Sequence, residues 1–211
     1  MLAPAGLVLA GVLALCGPAP APAAAPADTV PYATLYDAGT PFGVFLKKAD
    51  QRVETWQGNF ARAVVAPELQ ARARAAGAYR LLVIAEDWCG DSANTIPYLA
   101  RLVDQVPDLE MRIVDSNAGR PVMEAHRTPD GRAATPTVVV LDAEGAQVGC
   151  WVERPARLQT WFLENEARLE RDVLYERKYA WYDEDAGAST VSDIVALLEA
   201  ARAGRPRCPG G

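Results

Sequence analysis

A chain of 211 residues, half of them hydrophobic, has the material for one well-buried domain. Its formal charge of −6 and pI near 4.9 argue against nucleic acid as the main partner. No internal repeat and no second domain stand out, so residues 28–211 read as a single folded unit.

Residues 1–27 carry no charge. A short apolar core, Leu7 to Leu15, precedes an Ala/Pro tract that ends Ala25-Pro26-Ala27. This is the anatomy of a secretory signal peptide with an Ala-x-Ala cleavage site, although no Lys or Arg precedes the core. Leu13-Ala14-Leu15-Cys16 offers an alternative, a lipobox whose lipidated Cys16 would anchor the chain to a membrane. The expected location is therefore periplasmic or secreted, or lipid-anchored through Cys16. Either route leads to an oxidising compartment. Cleavage after Ala27 leaves Cys89, Cys150 and Cys208, an odd number, so at least one thiol stays free or pairs between chains.

Residues 28–41 are polar and contain Pro and Thr, and read as an entry loop. From Phe42 to Ala63, apolar Phe45, Val53, Trp56 and Phe60 recur at helical spacing, which predicts an amphipathic helix with a break near Gly58. Pro67 suits the first turn of a further helix that ends near Gly77. The apolar run Leu81–Ala85 reads as a buried strand, and Ser92–Val106 as a helix capped by Asp91 or Ser92. Leu109–Val114 alternates as a strand, and Arg120–Arg127 forms a short helix. Thr137–Leu141 and Gln147–Val152 form a hairpin around Glu144-Gly145. Pro155 opens a long helix carrying Leu158, Trp161, Phe162, Leu169 and Val173, with 175–185 as its linker or continuation. A last helix, Val191–Ala203, stops at Gly204, and a frayed tail follows. The order α-β-α-β-α-β-β-α predicts a mixed sheet with parallel neighbours and an antiparallel edge.

Arg80 to Pro97, RLLVIAEDWCGDSANTIP, places Cys89 where a strand turns into a helix. A helix N-terminus carries about half a positive charge, which favours thiolate over thiol. Around this cysteine the chain resembles the thioredoxin superfamily. Trp88-Cys89-Gly90-Asp91-Ser92 matches its Trp-Cys-x-x-Cys motif with Ser92 in the second cysteine's place. Pro97 stands where that family carries a helix-kinking proline. Thr135-Pro136-Thr137, before an apolar strand, matches its cis-proline. The resemblance spans residues 50–170. It implies a thioredoxin-like three-layer α/β/α fold with a mixed central sheet, plus extra N- and C-terminal helices, the C-terminal extension covering 171–204. It also implies Cys89 and Ser92 as catalytic positions, with Trp88, Gly90, Asp91, Thr135 and Pro136 contacting substrate.

Two departures shape the expected chemistry. Serine's pKa is too high for it to resolve a mixed disulfide, so Cys89 would need an outside thiol. Val83 stands where the family usually has a buried Asp on the strand. Glu86 and Asp87 are nearer, and are expected to face solvent. The hairpin puts Cys150 opposite Val139, ~10 Å along the strand from Pro136. A disulfide needs Cα atoms within about 7 Å, so Cys150 reads as a structural thiol that does not resolve Cys89. Cys208, on the tail, has several partners within reach.

His126 has no Cys or acid at metal spacing, so neither a metal nor a cofactor is expected. Nor does the Thr-x-x-Cys arrangement of a peroxide-reducing site occur at Cys89. The expected function is a monothiol-type thiol–disulfide oxidoreductase. Its partners would be protein thiols or low-molecular-weight thiols such as glutathione. The competing reading is a redox-inactive binding or chaperone-like module on the same fold.

Overall fold

The computed structural model describes residues 30–208. The leader 1–27, with Cys16, lies outside the described residues. Helices α1 (Tyr32–Ala38), α2 (Phe42–Lys48), α3 (Val53–Arg62) and α4 (Pro67–Ala76) lead into strand β1 (Tyr79–Ile84). Then follow α5 (Gly90–Gln105), β2 (Leu109–Val114), α6 (Arg120–Ala125), β3 (Thr137–Leu141) and β4 (Gln147–Val152). The chain closes with α7 (Ala156–Asn165), α8 (Arg171–Asp185) and α9 (Ala188–Arg202).

The sheet order is β2-β1-β3-β4. Only β1 and β2 run parallel, with Leu81 beside Met111 and Ile84 beside Val114. β3 runs antiparallel to β1, so the expectation of parallel neighbours holds for one pair and fails for the other. The β3–β4 hairpin sets Val139 opposite Cys150, the register its turn implies.

Successive side chains of β1 point to opposite faces, and that alternation builds two cores. Leu81 and Val83 pack with Trp56 of α3, Ile96, Leu99 and Leu102 of α5, and Ile194 and Leu198 of α9. Leu82 and Ile84 pack with Tyr32 and Tyr36 of α1 and with Val122 and Met123 of α6. The result is the three-layer α/β/α fold with a mixed sheet.

Several elements depart from the sequence expectation. The entry loop contains α1, whose Tyr32 and Tyr36 lie one turn apart and bury the same face. Beyond it, Thr40 bridges Ile113 and covers the outer edge of β2. The break in the next helical stretch falls at 49–52, not at Gly58, and Arg52 takes a left-handed conformation there with φ 49°. The long C-terminal helix divides after Asn165, and 171–185 forms α8. The tail is held as far as Cys208: Arg207 bridges Gly149 on the free edge of β4, and its carbonyl accepts the Cys150 N–H at 2.9 Å. Among the described residues, no helix is long and apolar enough to cross a membrane.

Candidate functional site

The site forms at the C-terminal end of β1. After Ile84 the chain makes one turn, closed by the Cys89 N–H bonding to the Glu86 carbonyl, and enters α5. The N-cap is Cys89 itself, in place of the expected Asp91 or Ser92. Its sulfur accepts the Ser92 N–H at 3.4 Å, and its thiol donates to the Thr135 carbonyl at 3.2 Å. The Thr135–Pro136 bond beside it is cis. Cys89, Ser92, Thr135 and Pro136 are thus brought together. Cys89 is 8% exposed and is the free cysteine among the described residues. Ser92 is buried beside it, and its hydroxyl has no hydrogen-bond partner. Trp88 is 52% exposed and flanks the thiol as an open aromatic surface.

Glu86 and Asp87 do not simply face solvent. Glu86 accepts the Ser116 N–H at 2.7 Å. Asp87 accepts the N–H groups of Asp50 and Gln51 at 2.9 and 3.1 Å, and its carbonyl accepts from Trp56 Nε1. Partial burial would raise the Asp87 carboxyl, but these backbone donors outweigh it and hold the group below its ordinary value. The same corner brings Arg52 to the site, where Nε donates to the Trp88 carbonyl at 2.7 Å.

Asp91 is buried at the wall of the Cys89 cavity and held by α8. Its carboxylate takes Lys178 Nζ at 3.0 Å, the Tyr182 hydroxyl at 2.8 Å and Arg154 at 3.5 Å. All of these groups are buried. Burial first, and then the Asp91 charge, push the Tyr182 phenol well up, so it remains a donor. Arg154 also pairs with Glu153 at 2.8 Å and lies 4.0 Å from the Phe162 ring centre. Arg132 grips Glu153 through both terminal nitrogens, at 3.1 and 2.9 Å. The Glu153 N–H in turn donates to the Pro136 carbonyl at 2.7 Å. A continuous chain of contacts therefore runs from the Pro136 loop through Glu153, Arg154 and Asp91 to the start of α5.

Helix α8 roofs the thiol. A Cβ added at Gly90 would run into the Tyr179 hydroxyl. Between the roof and Cys89 lies a cavity of about 610 Å³, lined by Trp88, Arg52, Arg171, Tyr175 and Tyr179 among others. A second, mostly apolar cavity of about 680 Å³ lies between α7, α9 and β4 and shares only Arg154 with the first. The cysteines that line it, Cys150 and Cys208, are bonded to each other.

Those two cysteines correct the sequence reading. Cys150 and Cys208 form a disulfide with Cα atoms 4.7 Å apart. Cys150 is not a free structural thiol, and the tail is pinned to β4. His126 is buried and its Nε2 meets the Tyr32 hydroxyl at 2.8 Å. Contrary to its isolation in sequence, a ring nitrogen of His126 lies within 4.8 Å of both sulfurs. Nothing in the spacing of 126, 150 and 208 could have announced this, because the three meet only once β4, the end of α6 and the tail are in place. The roof was hidden in the same way, since Asp91 and Lys178 are separated by 87 residues.

A family model described as thioredoxin matches residues 39–170. A crystal structure of a protein of unknown function from Pseudomonas aeruginosa is similar, with 25% identity and a TM-score of 0.61. That match covers 82% of this chain and 99% of the other. An HIV epitope scaffold is also similar, with 26% identity and a TM-score of 0.59, over 80% of this chain and 97% of that one. No curated protein matches.

Proposed function

We propose, for a chain that belongs to the thioredoxin family, a monothiol thiol–disulfide oxidoreductase acting through Cys89. The observation that carries the reading is the placement of Cys89: a free thiol at the N-cap of α5, against the Thr135 carbonyl, opening to a roofed cavity. The Cys89 thiolate attacks one sulfur of a substrate disulfide. A Cys89–substrate disulfide forms, and the other sulfur leaves as a thiolate. With serine at 92, an external thiolate then attacks the substrate sulfur, which becomes a new disulfide, and Cys89 departs as thiolate. The Ser92 N–H, directed at the Cys89 sulfur from 3.4 Å, orients it at the start of α5.

The roof of α8 favours low-molecular-weight thiols and disulfides over a long extended polypeptide. Arg52 and Arg171 at the rim give the cavity an affinity for an anionic substituent on such a substrate. Export through the uncharged leader 1–27 completes the reading, and fractionation with N-terminal sequencing of the mature protein checks it. A binding module is the second reading. The low exposure of Cys89 and the loss of the second cysteine favour it.

The test is reduction of a small disulfide by an excess of a monothiol, with Cys89→Ser and Ser92→Cys alongside. The protein is expected to turn over and to yield a mixed disulfide on Cys89 by mass spectrometry. Cys89→Ser abolishes both. Ser92→Cys supplies an internal resolving thiol, so the mixed disulfide no longer accumulates and an intramolecular bond from Cys89 to the introduced sulfur replaces it. Turnover indistinguishable between wild type and Cys89→Ser removes the oxidoreductase reading and leaves the binding module.

A further inference from the structure

On the face of the sheet opposite α5, three side chains of types able to ligate a metal converge from three distant parts of the chain. Cys150 projects from β4 into the core shared by α1 and α6. His126 is the residue that closes the C-terminus of α6. Cys208 arrives with the tail that bridges the edge of β4. The two sulfurs and a ring nitrogen of His126 all lie within 4.8 Å of one another. Cys150 is fully buried, His126 is 8% exposed, and Cys208 is partly buried.

The surroundings are those of a prepared ligand set. The Tyr32 hydroxyl fixes His126 through Nε2 at 2.8 Å, and the Tyr32 ring stacks near the imidazole, with centroids 5.9 Å apart. An outer partner of this kind orients a ligating imidazole. Gln147 Nε2 donates to Cys208 Sγ at 3.1 Å. Two thiolates and one imidazole form a soft-to-borderline donor set that suits zinc, with solvent free to take a fourth position. Such a set has no use for calcium or magnesium, which take oxygen ligands.

We propose that the reduced Cys150–Cys208 pair, together with His126, is a binding site for a thiolate-seeking divalent metal ion of the zinc class. The disulfide and the metal are alternative occupants of the same pair. A dithiol or phosphine reductant cleaves the S–S bond. Two electrons and two protons convert it to two thiols, and the reductant is oxidised. The incoming ion displaces both thiol protons to solvent and bonds to the two sulfurs and the imidazole. A low-molecular-weight disulfide reverses this: it takes two electrons from the pair and two protons from solvent, leaves as two thiols, and the re-formed Cys150–Cys208 bond releases the ion. The site would couple the redox state of the chain to metal content and to the hold on the C-terminal tail, at a distance from Cys89.

The test uses the full chain, reduced with a phosphine that is then removed, and titrated with Co²⁺ alone. One equivalent per chain is expected to bind, with a thiolate-to-cobalt charge-transfer band that zinc abolishes. The unreduced chain shows no such band. Cys89→Ser binds as wild type does, whereas His126→Ala and Cys208→Ser lose at least about tenfold in affinity. Far-ultraviolet circular dichroism checks that both variants remain folded. A second readout needs no variant: zinc shields Cys150 and Cys208, and not Cys89, from alkylation in the reduced wild type. The proposal is overturned by absence of stoichiometric binding after reduction, by unchanged binding in Cys208→Ser, by loss of binding in Cys89→Ser, or by alkylation of Cys150 and Cys208 that zinc leaves unaffected.

Discussion

Cys89 is held in position by its neighbours as much as by its own bonds, and Asp87 is the neighbour that ties it to the corner between α2 and α3. Its carboxylate receives two backbone N–H groups from the corner between α2 and α3, and that corner delivers Arg52 to the Trp88 carbonyl. Because these donors favour the ionised form, the folded-state pKa lies below the ordinary value of 3.8. The unfolded chain therefore takes up the proton first on acidification. The stabilisation is fully present above the ordinary carboxylate value and is lost as pH falls through the folded one. Asp87→Asn is expected to melt at a lower temperature than wild type near neutrality, with the gap closing in strong acid. Thermal melts across pH decide it, and a gap that persists unchanged in acid would show that the charge is irrelevant. The pair Asp87-Trp88 was visible in the sequence beside Cys89. The role of Asp87 was not, because its partners are amides 36 and 37 residues away, and backbone donors leave no mark in composition.

At the scale of elements, what was legible and what was not divides along a physical line. β2, β3 and β4 were readable at their observed bounds because each is a short apolar or alternating run with a turn on either side. The helices were harder. Among them α1 has seven residues and no side-chain cap, so its only signal is the pair Tyr32 and Tyr36. The roof α8 carries charged residues on most of its surface and has just three buried positions, Leu174, Lys178 and Tyr182. A buried lysine reads as a surface lysine until its partner is known. Here the partner is Asp91, and the Lys178 ammonium also lies 4.6 and 4.7 Å from the ring centres of Tyr175 and Tyr179. Removing one member of a buried pair leaves the other charge uncompensated, at a cost of roughly 3–5 kcal/mol. Lys178→Met is thus expected to destabilise the protein by about 3 kcal/mol, the lower end, because Arg154 and Tyr182 still face Asp91. Urea unfolding measures it, and hydrogen exchange should locate the loosening in α8. The double variant Asp91→Asn, Lys178→Met should recover part of the loss. A change in the single variant of less than about 1 kcal/mol, the range of an exposed pair, would mean that water reaches this pair after all.

For the whole molecule, the family match ends at residue 170, yet the fold does not. α9 lies against α4, α5 and β4. Its Val191, Ile194, Val195, Leu197 and Leu198 are buried in the same core as Leu81 and Leu99. α9 is therefore a layer of the domain and not an appendage to it, while α8, between them, is carried across the site. The tail after α9 returns to the edge of β4, so the extension is fastened at both ends. Full burial of an aliphatic side chain contributes roughly 1.5–3 kcal/mol, so these five contribute on the order of 10 kcal/mol. Domains of ordinary size have roughly 5–15 kcal/mol of net stability in all. A chain ending at residue 170 should then fail to fold, with no cooperative thermal transition by circular dichroism and a tendency to associate on gel filtration through the exposed face of α5. A cooperative transition in that truncated chain would show instead that the matched region is self-sufficient. In that case α8 and α9 would be a removable cover, and deleting them should open the Cys89 cavity to larger disulfides without loss of the fold.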